Sequence, residues 1–276
     1  MIDLATFNGA GVGQLPGINL QFFIGELAKV FLGSLRIGAF LIASPFFGGT
    51  SVPIQVRIIV SVLLGLVVMT NVTIPDVASF PDLTIFGVVV AELFIGLAAG
   101  LILTIMFSAA LLAGEKIAGT AGLGLAAQMD PDSGGQTPVV SKTLSLFLIV
   151  IFLSWDGHLV ILRAVFDTYE FLPIGVMPNV AFLVQGGITA VATMFFAAAM
   201  LMLPVVVILT AANLGIGVVT RSSPQLNLFS FGFPITMMSV FIILYFWVGS
   251  LGLSFEEFSR TAVMELQTVL GGMADG

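Results

Sequence analysis

The chain contains a single histidine, His158, two residues after Asp156. A carboxylate and an imidazole so close could serve acid–base chemistry if a nucleophile or a metal joined them. Neither is signalled. Cysteine is absent, which removes thiolate nucleophiles, thiolate metal sites and disulfides together. No HExxH, GxGD or GxSG pattern marks an intramembrane protease, and no glycine-rich loop with a lysine marks a phosphate site. Gly134-Gly135-Gln136 is the tripeptide of peptide release factors, but three residues are no evidence for that activity. The chain is expected to be no enzyme and to need no cofactor or metal.

The other charges are few and placed among apolar residues. Of 276 residues 58% are hydrophobic and only 8% charged, where a soluble domain is nearer a quarter charged. Composition therefore makes this an integral membrane protein. A net charge of −7 with scattered Lys and Arg argues against nucleic acid and anionic head groups, which need basic clusters. Glu26, Lys29 and Arg36 interrupt the apolar stretch 22–47, Glu92 precedes an uncharged run, and Asp156 and Arg163 break up another. A lone charge at mid-bilayer costs about 2.5–3.5 kcal/mol. These six are therefore candidates for burial against protein, for pairing, or for lining water. Glu26 and Lys29 are neighbours on one helix face, and Lys29 and Arg36 share a heptad face.

The elements that must hold these charges are helices. The uncharged runs 37–56, 58–75, 93–114, 171–220 and 222–255 reach or approach the ~20 residues of a span. An all-α membrane fold with about six hydrophobic segments follows, the run 171–220 being long enough for two. Between Lys142 and Asp156 lie only the 13 residues 143–155, too few to cross. A hairpin or re-entrant piece, or polar groups buried in protein, is expected there. Residues 44–53 and 75–82 read as turns. Gly96-Leu-Ala-Ala-Gly100 is a GxxxG pattern that permits close helix approach. Pro204 should kink its helix.

Residues 1–20 read as a polar leader without the basic region of a cleavable signal peptide. Residues 21–255 form the membrane-embedded part, and 254–276 an acidic amphipathic tail. Ser254 and Glu257 look like a capping box opening that tail. Phe255, Phe258, Ala262, Leu266 and Val269 then recur at helical spacing, suited to a partner or to closing the bundle.

A small-residue island interrupts the apolar pattern: Gln128, Met129, Asp130, Pro131, Asp132, Ser133, Gly134, Gly135, Gln136, Thr137 and Pro138. Pro131 ends the preceding helix, Asp132 to Gly135 favour turns, and Thr137-Pro138 offers an N-cap with Pro at the first helical position. A second break runs through Pro224, Gln225, Asn227, Gly232 and Pro234. There the amides can hydrogen-bond across helices and Gly232 permits close contact.

Residues 36–58, 114–142, 156–175 and 221–236 carry RIGAFLIASPFFGGTSVPIQVRI, GEKIAGTAGLGLAAQMDPDSGGQTPVVSK, DGHLVILRAVFDTYEFLPIG and RSSPQLNLFSFGFPIT. In this order they resemble the FliR family, the export-gate subunit of flagellar type III secretion, whose virulence-system relative is SctT. The resemblance covers roughly residues 20–255. It implies a FliP-like part followed by a FliQ-like part, built of bent helical hairpins. One such chain would join several copies of FliP and FliQ in a cone-like assembly in the inner membrane, within the basal body. FlhB and FlhA are implied as further partners, and unfolded flagellar subunits as cargo. The island 128–138 would be the plug of the central pore, and the 224–234 stretch a subunit packing surface. The competing reading from residues alone is a small-solute secondary transporter acting alone or as a homodimer, which the Pro204 break and the charges within apolar stretches would fit.

Overall fold

The computed structural model describes residues 14–15, 18–49, 52–75, 82–122, 139–223 and 232–273. Among these, seven helices account for nearly everything: α1 Leu20–Ala43, α2 Ile54–Asn71, α3 Asp82–Thr120, α4 Val139–Ser154, α5 Gly157–Phe171, α6 Val180–Ser222 and α7 Phe233–Gly272. A two-residue antiparallel ladder, Gln14–Leu15 with Ile18–Asn19, is the exception among them. The all-α membrane expectation holds. The turn at 44–53 separates α1 from α2 as anticipated, and α4 starts at Val139, one residue after the position that Thr137-Pro138 indicated.

Not every one of the seven helices is a candidate span. Four helices (α2, α3, α6 and α7) are long and apolar enough to cross a membrane, or five if α4 and α5 form one span. Two differences explain this. Helix α1 carries Glu26, Lys29 and Arg36 and drops out, and the run 171–220 yields one helix of 43 residues rather than two spans. That helix is continuous through Pro204. Proline removes the donor for the carbonyl four residues earlier, but the rest of the ladder survives, and membrane helices tolerate the loss. The short segment after the island behaves as expected: α4 and α5 meet at an elbow and are bent by 70°.

The chain folds into two compact units, each gathered from remote segments. The first comprises residues 1–101, 164–180 and 270–276. Here Gly33 faces Gly65 and Val68 of α2 while Gly38 faces Ser61, so α1 and α2 run antiparallel. The GxxxG pattern works within this unit. A Cβ on Gly96 would overlap the Arg36 carbonyl, and one on Gly100 would lie 2.6 Å from the Ala43 Cβ and 2.9 Å from the Phe40 carbonyl. Both contacts advance together, so α1 and α3 are parallel. Gly96→Ala is therefore expected to destabilise by about 1–3 kcal/mol through overpacking. Gly249→Ala, where nothing lies near the added methyl, should not. Equal resistance of both variants to SDS titration would contradict this packing.

The second unit comprises residues 102–163 and 181–269. Phe107 meets Phe152 at 5.1 Å between ring centroids, and Gly114 leaves room only for the backbone of Ser141, so α3 and α4 pack antiparallel. Helix α7 is continuous through Ser254, which overturns the capping box there. A cap needs a chain leaving helical geometry, and no proline or tight turn forces that between Phe246 and Phe258; the glycines at 249 and 252 are accommodated within the helix. The face set by spacing is right: Phe255, Phe258, Ala262, Leu266 and Val269 are all buried. Phe147 packs on Phe255, and Val269 fills the space over Gly186.

Candidate functional site

Of the six charges singled out, Arg36 and Glu92 are fully buried. Both lie in the first unit, where parallel packing of α1 on α3 over Gly96 brings them together. Arg36 donates from Nε to Glu92 Oε2 at 2.9 Å and from Nη2 to Oε1 at 3.0 Å. Nη1 donates to Thr168 Oγ1 at 2.8 Å, and Nη2 also to the Leu172 carbonyl at 3.0 Å. Four of the five guanidinium donors are thus placed. The paired geometry with the carboxylate is the strong form of this interaction. The Leu172 carbonyl follows the last residue of α5, where helix carbonyls lack intrahelical donors and carry partial negative charge. The cation therefore also completes a helix end.

Tyr169 closes the cluster. Its ring lies 4.2 Å from Arg36 Cζ, a cation–π contact, and its hydroxyl donates to the Gly33 carbonyl at 2.9 Å. The carboxylate, the hydroxyls and the guanidinium are engaged with one another. The arrangement joins α1, α3 and α5 and presents no reacting group. Its chemistry is structural.

The other charges behave differently. Glu26 and Lys29 pair at 3.1 Å on one helix face, half-buried, as the spacing indicates. Asp156 and Arg163 are exposed on this chain, so the chain itself does not bury them. Asp156 belongs to the elbow. It adopts a left-handed φ of 61°, and its carbonyl accepts from the amides of Leu159 and Val160 to start α5. His158 is half-buried with Nδ1 lacking a hydrogen-bond partner. No group of three potential metal ligands occurs among the described residues.

Residues 128–138, with Pro224, Gln225 and Asn227, lie outside the described residues. Gly232 and Pro234 are described. Pro234 is exposed in the first turn of α7, while Gly232 is buried and borders a cavity of about 280 Å³ in the second unit. That cavity adjoins the last described residues before the island, Ala121 and Gly122.

Three contributors to the buried cluster escaped the sequence: Thr168, Tyr169 and the Leu172 carbonyl. Arg36 and Glu92 were both flagged, but nothing local joins residues 56 apart. The usable signal was simple: two opposite charges in separate apolar segments, each needing a partner.

Residues 27–262 match the family model described as Bacterial export proteins, family 1. The chain is 31% identical to the flagellar biosynthetic protein FliR of Escherichia coli (strain K12) over 222 residues, covering 80% of this chain and 84% of that protein. It is 30% identical to FliR of Aquifex aeolicus over 221 residues, covering 79% and 84%, and 28% identical to FliR of Bacillus subtilis over 216 residues, covering 76% and 82%. The family match takes in segments of both units and includes Arg36 and Glu92. The chain is a member of the FliR family of bacterial export proteins.

Proposed function

We propose that this chain is a non-enzymatic, multi-pass inner-membrane subunit of the flagellar protein-export gate. It forms part of the conduit for unfolded flagellar subunits and works with FliP, FliQ, FlhB and FlhA in the basal body. The island 128–138 acts as the plug, and the stretch 224–234 as a packing surface between subunits.

The observation that carries this reading is a mismatch of lengths within a chain of export-family sequence. Helix α6 has 43 residues, about 64 Å at 1.5 Å per residue. Its exposed apolar side chains run from Val180 to Val219, about 58 Å along the axis. A hydrocarbon core is about 30 Å thick, and burying about 58 Å within it would need a tilt of about 60°, beyond the usual range. Lipid covers part of that stripe; neighbouring apolar subunits cover the remainder. A transporter working alone would leave this surface in water, which disfavours it.

Removal of the gene from its own host tests the reading. Flagellar rod, hook and filament subunits should then stay inside the cell, and the re-expressed chain should restore their export. Intact flagella together with loss of uptake of one solute would instead support the transporter.

A further inference from the structure

Helix α7 of the second unit changes character at Ser254. Residues 234–253 carry no charge and expose Met238, Phe241, Ile242, Tyr245 and Phe246. At 1.5 Å per residue they measure about 30 Å, the thickness of a hydrocarbon core. Glu256, Glu257, Arg260 and Glu265 follow within the next turns. A bilayer that covers the first part therefore leaves the second at its surface or beyond. Helix α6 runs antiparallel to this second part, since Val269 fills the space over Gly186 and Thr193 Oγ1 donates to Glu265 Oε1 at 3.4 Å. Yet α6 stays apolar there: Phe196 is 67% and Met200 59% exposed. Large apolar side chains at a level of charged ones, beyond the reach of lipid tails, need a protein cover.

Between the two helices lies a groove of about 240 Å³. One wall is apolar, formed by Phe196 and Met200 of α6. The other is polar, formed by Ser254, Glu257 and Thr261 at successive turns of one face of α7. Glu265 continues that row one turn on, at the Thr193 hydroxyl. Neither Glu257 nor Glu265 forms an ion pair with a described residue. Arg260 is committed elsewhere. It donates to Glu256 Oε1 from Nη2 at 2.9 Å and from Nε at 3.2 Å, and its Cζ lies 4.8 Å from the centre of the Trp155 ring. The groove thus offers two carboxylates, about 12 Å apart along the axis, to a cation from outside.

We propose that this groove seats a helix of a neighbouring subunit, whose apolar side chains cover Phe196 and Met200 and whose Lys or Arg residues, about two turns apart, pair with Glu257 and Glu265. The volume suits inserted side chains rather than a whole helix, so the partner lies over the groove with its ridge in it. Charge complementarity fixes the partner's register and disfavours lipid as the occupant, because an acyl chain offers nothing to the carboxylates. This seat rests on the gate reading above, which requires neighbouring subunits without assigning them to this surface.

The test introduces the double variants E257Q/E265Q and E257K/E265K into a tagged chain expressed with its native partners. The level of the chain in the membrane and the yield of detergent-extracted complex are measured. A benzophenone amino acid in place of Met200 reports, on illumination, what touches the groove. The otherwise wild-type chain is expected to recover its subunits and to crosslink to one of them. E257K/E265K should lower both readouts about tenfold or more at unchanged chain level, and E257Q/E265Q by less. Full complex and crosslink in E257K/E265K, or an adduct with lipid alone in an assembled complex, overturns the seat and leaves the gate standing. A wild-type chain recovered without any other subunit overturns the gate reading, and the seat with it. If E257K/E265K lowers the level of the chain itself, E257Q/E265Q decides: a reduced crosslink supports the seat, and a wild-type crosslink overturns it.

Discussion

Replacing Arg36 with methionine is expected to destabilise the protein by about 3–5 kcal/mol, because Glu92 is left charged and buried without its partner. That is a large share of the 5–15 kcal/mol by which folded domains are typically stable. The fully buried pair makes the direction secure. Removing both charges together, as Arg36→Met with Glu92→Met, should recover most of the loss, since a buried pair replaced by apolar side chains is often nearly neutral. Arg36→Lys should fall between, because an ammonium cannot reproduce the paired bonds to Glu92 and the contacts to Thr168 and Leu172 at once. Denaturant titration of the purified protein in mild detergent reads all three. A single Arg36→Met variant as stable as the wild type would remove the cluster's structural role.

Deleting residues 130–137 should produce a different phenotype: normal assembly, and a membrane that leaks ions. The shortened connection can still join its helices. Eight residues remain between Gly122 and Val139, reaching about 27 Å when extended. Helices α3 and α4 already touch at Gly114 and Ser141. No described packing contact is removed, so fold and assembly should persist. A conduit wide enough for an unfolded polypeptide passes hydrated ions freely unless something fills it, and the plug is assigned that task. Unchanged permeability in an assembled, loop-deleted gate would count against a plug. A purely structural scaffold with no part in conduction would give that unchanged permeability.

Much of the architecture is legible in the sequence because it depends on local spacing. The apolar positions 255, 258, 262, 266 and 269 define a buried face without reference to anything beyond α7. The elbow is visible because 13 uncharged residues cannot cross a bilayer, and GxxxG because two glycines one turn apart leave a groove wherever they pack. What escapes is whatever distant residues decide. Glu92, Thr168 and Leu172 meet Arg36 only after three helices have packed, and the chain separation of 56 to 136 residues leaves no local trace. Helix continuity fails for a related reason. Pro204 and Ser254 carry real local signals against helix, yet long apolar helices override them, since leaving the backbone unpaired in a membrane costs more than one missing bond. Exposure of Asp156 follows from its place at the elbow, where a left-handed turn points outward whatever the surrounding hydropathy.

As proposed above, this chain would work only as one part of a larger channel. The most direct measurement is the mass and composition of the complex that a tagged copy brings out of its native membrane in mild detergent. A large assembly holding one copy of this chain with several copies each of two other small hydrophobic subunits is the expected result. Recovery as a monomer or homodimer, under conditions that keep other membrane complexes intact, would contradict it.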